Sequence, residues 1–70
     1  MFNLHKEMRP GVDYTVAIKR IDYGPDYQIT ISRIDNGDFY SFKPFTYSAN
    51  ETLSLIRTFM LEGYSIVPVV

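Results

Sequence analysis

The chain has 70 residues, which is enough for one small domain and no more. Hydrophobic residues make up 46% and charged residues 21%, which is close to ordinary globular usage and disfavours a disordered, collagenous or coiled-coil chain. Cysteine is absent and the net charge is −1, which excludes disulfides and cysteine-based metal sites and disfavours a strongly charged partner.

Residues 1–12 show no clear hydrophobic period, so the sequence predicts no element there and leaves a segment that need not be ordered. Pro10-Gly11 marks a break in the chain. Residues 14–21 are rich in β-branched and aromatic side chains and predict a first strand. Gly24-Pro25 then marks a turn, and the alternation of residues 27–34 predicts a second strand. If Gly24-Pro25 is a two-residue loop, it pairs Ile18 with Ile31 and Ala17 with Ser32.

The dipeptide Asn36-Gly37 lies between two apolar runs and predicts a tight β-hairpin, because a type I′ turn needs positive φ at both central residues. The third strand covers residues 39–43, and Pro44 ends it because proline cannot donate to the ladder. A two-residue turn fixes the register of the hairpin, which pairs Asp35 with Asp38, Ile34 with Phe39, Arg33 with Tyr40, Ser32 with Ser41 and Ile31 with Phe42.

Ser48 and Glu51 have the spacing of a capping box, in which the serine hydroxyl accepts from the amide of residue 51 and the glutamate reaches back. Gly63 is suited to the left-handed position that follows a helix. The sequence therefore predicts a helix over residues 49–62. The apolar stripe expected to face the sheet comprises Leu53, Ile56 and Met60, widened by Leu55 and Phe59.

Residues 65–70 are mostly apolar and include Pro68, which predicts a short final strand at a sheet edge. The predicted fold class is α+β: a small antiparallel three-stranded β-meander with one α-helix packed on one face and a short C-terminal edge strand, in the order β-β-β-α-β. If the helix returns antiparallel to the third strand, the last strand runs parallel to its neighbour. We expect one domain over residues 1–70.

The predicted register separates the side chains of the sheet into two faces. The face expected to receive the helix collects large apolar side chains, among them Val16, Ile18, Ile29, Ile31, Tyr40 and Phe42. The opposite face has small and hydroxyl side chains at its centre, with Ile34 and Phe39 near one end and Phe45 assigned to the other. A solvated sheet face is expected to carry more charge than this.

Two interpretations of the opposite face remain open. The N-terminal segment or the final strand could cover part of it, or it could be a contact surface for another protein. For the contact surface, small central side chains would allow close approach and two larger ones would supply an apolar anchor. The candidate residues are Ala17, Ser32, Ile34, Phe39 and Ser41. Because two-fold dimers are the commonest assemblies, the sequence predicts a homodimer through this face.

Groups suited to catalysis or metal binding are sparse. His5 is the single histidine and has no partner at metal-ligand spacing. Asp22, Asp26, Asp35 and Asp38 lie in or beside turns, where aspartate normally hydrogen-bonds its own backbone. The glycines are isolated and form no phosphate-binding loop. We therefore predict that the protein is not an enzyme and holds no metal or cofactor. Without a run of about eighteen apolar residues or a signal-peptide pattern, we expect it in the cytoplasm and outside the membrane.

The favoured functional hypothesis is a small non-catalytic protein that binds another protein, of the kind that phages and mobile elements encode. An alternative is a single-stranded nucleic-acid-binding module, in which sheet aromatics stack bases while Lys19, Lys43 and Arg33 contact phosphates. The slightly acidic net charge and the dispersed basic residues disfavour that alternative. Tyr40 opposite Arg33 more simply makes a cross-strand cation–π pair.

The order of three strands and a capped helix also resembles that of small phage inhibitors, in particular Cas9-blocking anti-CRISPR proteins. The similar stretches are Asp13–Val16, the hairpin Ile34–Asp38, and a helix that starts at Asn50-Glu51 and ends at Gly63-Tyr64. The resemblance implies inhibition of a host nuclease by mimicry of DNA charge. Such inhibitors are strongly acidic, whereas the net charge here is −1 and residues 65–70 are mostly apolar, so nuclease inhibition stands as a second alternative.

Overall fold

The structure is a computed structural model that describes residues 2–21 and 24–68. Its elements in chain order are the strands β1 (Phe2–Arg9), β2 (Val12–Arg20), β3 (Tyr27–Asp35), β4 (Asp38–Ser41) and β5 (Phe45–Tyr47), the helix α1 (Ala49–Leu61) and the strand β6 (Ser65–Pro68). The strands form one antiparallel sheet in the order β4-β3-β2-β1-β6, and β5 also pairs with β3. The predicted α+β class is confirmed, but the sheet is wider than the predicted three-stranded meander. Asp22 of the predicted turn and Val69-Val70 of the predicted last strand lie outside the described residues.

Strand β1 occupies the stretch for which the sequence predicted no element. It lies between β2 and β6, and its Leu4 pairs with Val16 on one side and Ile66 on the other. Leu4 is fully buried, as is Val16. Residues 2–5 of β1 have ladder partners on both edges, so this half of the strand is held by backbone hydrogen bonds that require no periodic apolar pattern.

The β3–β4 hairpin has the predicted register, with Ile34 opposite Phe39 and a turn at Asn36-Gly37. Both turn residues have positive φ, 50° and 92°, as a type I′ turn requires. The pairing of β2 with β3 differs from the prediction by two residues, because Ile18 lies opposite Ile29 instead of Ile31. A shift of two preserves the face on which each side chain lies.

A β-bulge between β4 and β5 changes the predicted faces. Ser32 pairs with Ser41 and Ile29 pairs with Phe45, so four residues on this edge advance against three on β3. The extra residue reverses the alternation beyond the bulge. Phe45, predicted on the outer face, therefore packs against the core, while Phe42, predicted in the core opposite Ile31, is half exposed.

Both ends of α1 are closed by local hydrogen bonds. At the N-terminus, Ser48 Oγ accepts from the amide of Glu51 and the Glu51 carboxylate accepts from the amide of Ser48, which confirms the capping box. At the C-terminus, the amide of Tyr64 donates to the carbonyl of Phe59, and Gly63 takes the left-handed conformation with φ 101°. Together with the Phe59–Tyr64 ring contact at 4.8 Å, this is a Schellman motif.

The predicted sheet-facing stripe of the helix is confirmed in part. Leu55, Ile56 and Phe59 pack against the core as predicted, and together with the buried Thr52 they follow helical i, i+3, i+4 and i+7 spacing. Leu53 and Met60, also predicted to face the sheet, are exposed. The buried stripe is therefore displaced from the predicted one toward Thr52.

The final strand lies at an outer edge, as predicted, but its direction differs from the prediction. Strand β6 runs antiparallel to β1, with Phe2 opposite Pro68 and His5 opposite Ser65. The helix therefore carries the chain from one edge of the sheet, at β5, across β3, β2 and β1 to the other edge. This path places α1 over the core residues Leu4, Val16, Ile18 and Ile29.

Replacing Ser48 by alanine should cost about 1 kcal/mol of unfolding free energy, because it removes the oxygen that satisfies an amide of the first helical turn. Urea unfolding followed by circular dichroism measures this loss. Ser54→Ala is the matched control: Ser54 lies exposed in the middle of α1, where alanine is the better helix former. Equal effects of the two substitutions would contradict a stabilising role for the cap.

Replacing Gly11 by alanine should destabilise the fold more than replacing Gly37. Both glycines have positive φ, so each substitution strains the backbone by about 1–2 kcal/mol. At Gly11 an added Cβ would also lie 2.5 Å from Asn36 Oδ1, whereas at Gly37 it would meet nothing within 4 Å. The urea midpoint of Gly11→Ala should be the lower of the two, and equal midpoints would contradict the crowding.

Candidate interaction surface

One face of the sheet is uncovered over the described ranges 2–21 and 24–68. Side chains alternate between faces along each strand, and the core side chains all lie on the side that α1 contacts. We call the other side the open face. It comprises Asn3, His5 and Glu7 of β1, Asp13, Thr15, Ala17 and Lys19 of β2, Gln28, Thr30, Ser32 and Ile34 of β3, Phe39 and Ser41 of β4, Thr46 of β5, and Ser65 and Val67 of β6.

The N-terminal segment and the final strand do not cover this face. Both join the sheet edge to edge, as β1 and β6, and extend the open face instead of shielding it. The only described element outside the sheet is α1, and its buried side chains pack against the core cluster. The first of the two interpretations of this face is therefore wrong.

The structure brings all the predicted interaction residues to the open face. Ser32 lies opposite Ser41, and Ile34 lies opposite Phe39, as the hairpin register requires. Ala17 is the one that is displaced: it lies opposite Thr30, and Thr15 takes the predicted place opposite Ser32. The centre of the face therefore consists of small and hydroxyl side chains of β2 and β3, with Ser41 of β4 beside them.

Ile34 and Phe39 form the apolar part of the open face, beside the Asn36-Gly37 turn. Their exposed fractions are 44% and 66%, although the two residues are cross-strand neighbours. A cross-strand apolar pair in water gains only the contact between its own members. Further burial of these side chains is available only from a partner.

Permanent charges on the open face lie at its two ends. Glu7 and Asp13 are cross-strand neighbours at the end with the Pro10-Gly11 turn. His5 Nε2 lies 3.3 Å from Asp13 Oδ1. Lys19 lies at the opposite end of β2, beside Gln28. The face is therefore acidic at one end, basic at the other and uncharged between.

A ladder of cationic and aromatic side chains lies on the inner face of the sheet, which is the face that α1 contacts. It occupies the end of that face nearest the Pro10-Gly11 turn. In register across the strands it comprises Lys6, Tyr14, Arg33 and Tyr40. The Arg33 guanidinium lies 4.7 Å from the Tyr40 ring centroid, which confirms the predicted cation–π pair. The neighbouring Tyr14 side chain raises the pKa of Arg33.

The same ladder is tied to the end of the helix. Lys6 Nζ donates to the Glu62 carbonyl and lies 5.9 Å from the Tyr64 ring centroid. Burial, together with the charge of Glu62, raises the pKa of the Tyr64 phenol. Since Asp35 and Glu62 stand close to these cations, the ladder offers little net positive charge to a phosphate backbone. We therefore interpret the ladder as a structural feature that covers this end of the core, and not as a nucleic-acid site.

A second exposed apolar surface, which was not predicted, lies on the helix. Leu53, Met60 and Leu61 are exposed there, and Leu61 is 89% exposed. The signal was present in the sequence, because α1 has apolar residues on more than one side. The surface was overlooked because Leu53 and Met60 were assigned to the core.

Two clefts of the described residues border the helix. An apolar cleft of about 220 Å³ lies between the helix and the sheet and is lined by Phe2, Ile18, Tyr27, Ala49, Thr52, Leu53 and Ile56. A wider hollow of about 440 Å³ contains Glu51, whose carboxylate is held in the capping box. Within the described residues, no three His, Cys, Asp or Glu side chains stand close enough to hold a metal ion.

The chain matches no protein-family model, no curated protein and no solved structure. Among the described residues, no helix has the length and apolar content that a membrane span requires.

Proposed function

We propose that the chain is a small non-catalytic protein of the cytoplasm, of the kind that phages and mobile elements encode, and that it acts by binding protein through the open face. The observation that carries the proposal is the exposed pair Ile34 and Phe39 on a sheet face that nothing covers within the described residues. Uncovered apolar side chains grouped beside a polar surface are typical of protein-binding sites.

The composition of the face supports protein in preference to nucleic acid. Its centre is formed by Thr15, Ala17, Thr30 and Ser32, which are partly buried by their neighbours and carry no charge. Side chains this small let a second backbone layer approach to the roughly 10 Å at which sheets pack. A nucleic-acid site would instead need several cations directed at phosphates, and Lys19 is the only lysine or arginine on the open face.

The first partner we propose is a second copy of the chain, packed face to face. Edge-to-edge pairing is disfavoured on both sides of the sheet. The bulge at Phe42–Pro44 interrupts one edge, and Pro68, which cannot donate to a ladder, lies in the other edge strand.

The absence of cysteine allows a direct test of this function. A single cysteine introduced at Ser41, on the open face, should react more slowly with a thiol reagent as the protein concentration rises through the micromolar range. A cysteine at Ser54, exposed on the helix, should react at a constant rate. Unchanged rates at both positions, with a sedimentation mass that stays at the 8.1 kDa of one chain, would contradict the proposal.

A further inference from the structure

The geometry points to one arrangement of the two copies: the second copy lies across the open face with its strands reversed, so that Asp13 of each chain faces Lys19 of the other. This inference rests on the proposed face-to-face association and adds the orientation of the partner. It follows from the placement of charge along a single strand, the one at the centre of the sheet.

Strand β2 is the middle strand in the order β4-β3-β2-β1-β6. On the open face it presents Asp13 near one end and Lys19 near the other, with Thr15 and Ala17 between them. The midpoint of this sequence is Val16, whose side chain is fully buried on the opposite side. A two-fold axis that lies above Val16, parallel to the plane of the sheet and perpendicular to the strands, therefore places the acidic end of each β2 over the basic end of the other.

The alternative two-fold axis, parallel to the strands, gives a poorer match. It would place the acidic end, with Glu7 and Asp13, over the acidic end of the partner. It would also place Phe39, which lies at the same end of the sheet, over the partner's edge near Glu7. Like charges directly opposed across an interface are destabilising, and so is a charge desolvated by an aromatic ring.

The perpendicular axis also suits the apolar pair. It preserves the lateral position of each strand and reverses its direction, so Ile34 and Phe39 lie over the far end of the partner's β3 and β5. The open-face residues there are Gln28 and Thr46, which are uncharged. In this arrangement Phe39 faces uncharged residues of the partner's open face. The two Asp13–Lys19 pairs lie toward the two ends of β2, on the strand at the centre of the sheet.

Charge reversal tests the arrangement. Asp13→Lys alone and Lys19→Asp alone should each weaken dimerisation by roughly tenfold, because each replaces two attractive pairs with two repulsive ones. The double variant Asp13→Lys/Lys19→Asp should return the dissociation constant to within about threefold of the original value. The differences should shrink at 1 M salt, where the screening length is about 3 Å.

The control is Arg57→Asp, a charge reversal on the exposed surface of the helix, which should leave dimerisation unchanged. The same sedimentation experiment distinguishes an error in the proposed orientation from an error in the proposed function. If the unmodified chain dimerises but the charge-reversed variants bind as tightly, the orientation is wrong and the face remains the interface. If the unmodified chain stays at the mass of one copy throughout, the association itself is wrong.

Discussion

Replacing Leu4 by alanine is expected to unfold the protein at room temperature. Leu4 is fully buried, and β1 carries it between Val16 of β2 and Ile66 of β6. Removing a buried leucine side chain typically costs about 2–5 kcal/mol, part of it from the cavity left behind. A domain of this size without disulfide or metal has about 3–5 kcal/mol of stability in all. Thermal melting by circular dichroism should show loss of the cooperative transition.

The matched control removes the same atoms from an exposed position. Leu61 lies at the end of α1 and is 89% exposed, so Leu61→Ala should shift the melting temperature by no more than a few degrees. A cooperative melt of Leu4→Ala close to that of the unmodified protein would show that β1 is not integral to the core. Self-association adds to the measured stability, so both variants should be compared at one concentration.

Leu4 also shows why the sequence underestimated the width of the sheet. The local signals that succeeded were self-contained: Asn36-Gly37 specifies a turn through backbone sterics, and Ser48 with Glu51 specifies a helix start through two hydrogen bonds. Strand β1 has no such signal. Its ladder to β2 begins directly at the Pro10-Gly11 turn, but its other ladder joins it to β6 at the far end of the chain, and no pattern within residues 1–12 could reveal that second partner.

The helix stripe and the bulge were misassigned for a related reason. Apolar spacing in α1 permits two adjacent stripes, and the crossing of the helix over the sheet decides that Thr52 is buried and Leu53 exposed. Likewise an unbroken alternation assigns Phe42 to the core face and Phe45 to the opposite face, whereas the single extra residue of the bulge brings Phe45 to the core. Side-chain packing fixes both choices, and packing is not a local property of the sequence.

The open face was predictable because an error in strand pairing does not always change the face on which a side chain lies. The β2–β3 pairing differs from the prediction by two residues, yet every predicted interaction residue remains on the same face, since an even shift returns each side chain to its side. What changed is the neighbour: Thr15 replaces Ala17 opposite Ser32. The sequence pattern could not predict whether another segment covers this face, because an uncovered sheet and a sheet covered by an N-terminal segment have the same alternation.

Replacing Phe39 by aspartate is expected to separate the two copies of the proposed dimer. Phe39 is the most exposed large hydrophobic side chain of the open face, at 66%, so the substitution should leave the fold of one chain intact. In a face-to-face dimer the same position becomes buried, and a carboxylate there without a partner costs several kcal/mol in each chain. The dissociation constant should rise beyond the micromolar range, measured by sedimentation velocity or light scattering.

Two comparisons make the Phe39 experiment decisive. Phe39→Lys should separate the copies as well, because the cost arises from desolvating a charge of either sign. Leu61→Asp places a carboxylate at a still more exposed apolar position, on the helix, and should leave the dimer unchanged. If Leu61→Asp separates the copies and Phe39→Asp does not, the helix surface formed by Leu53, Met60 and Leu61 is the interface. In that case the exposed apolar residues of α1, and not the open face, bind the second chain.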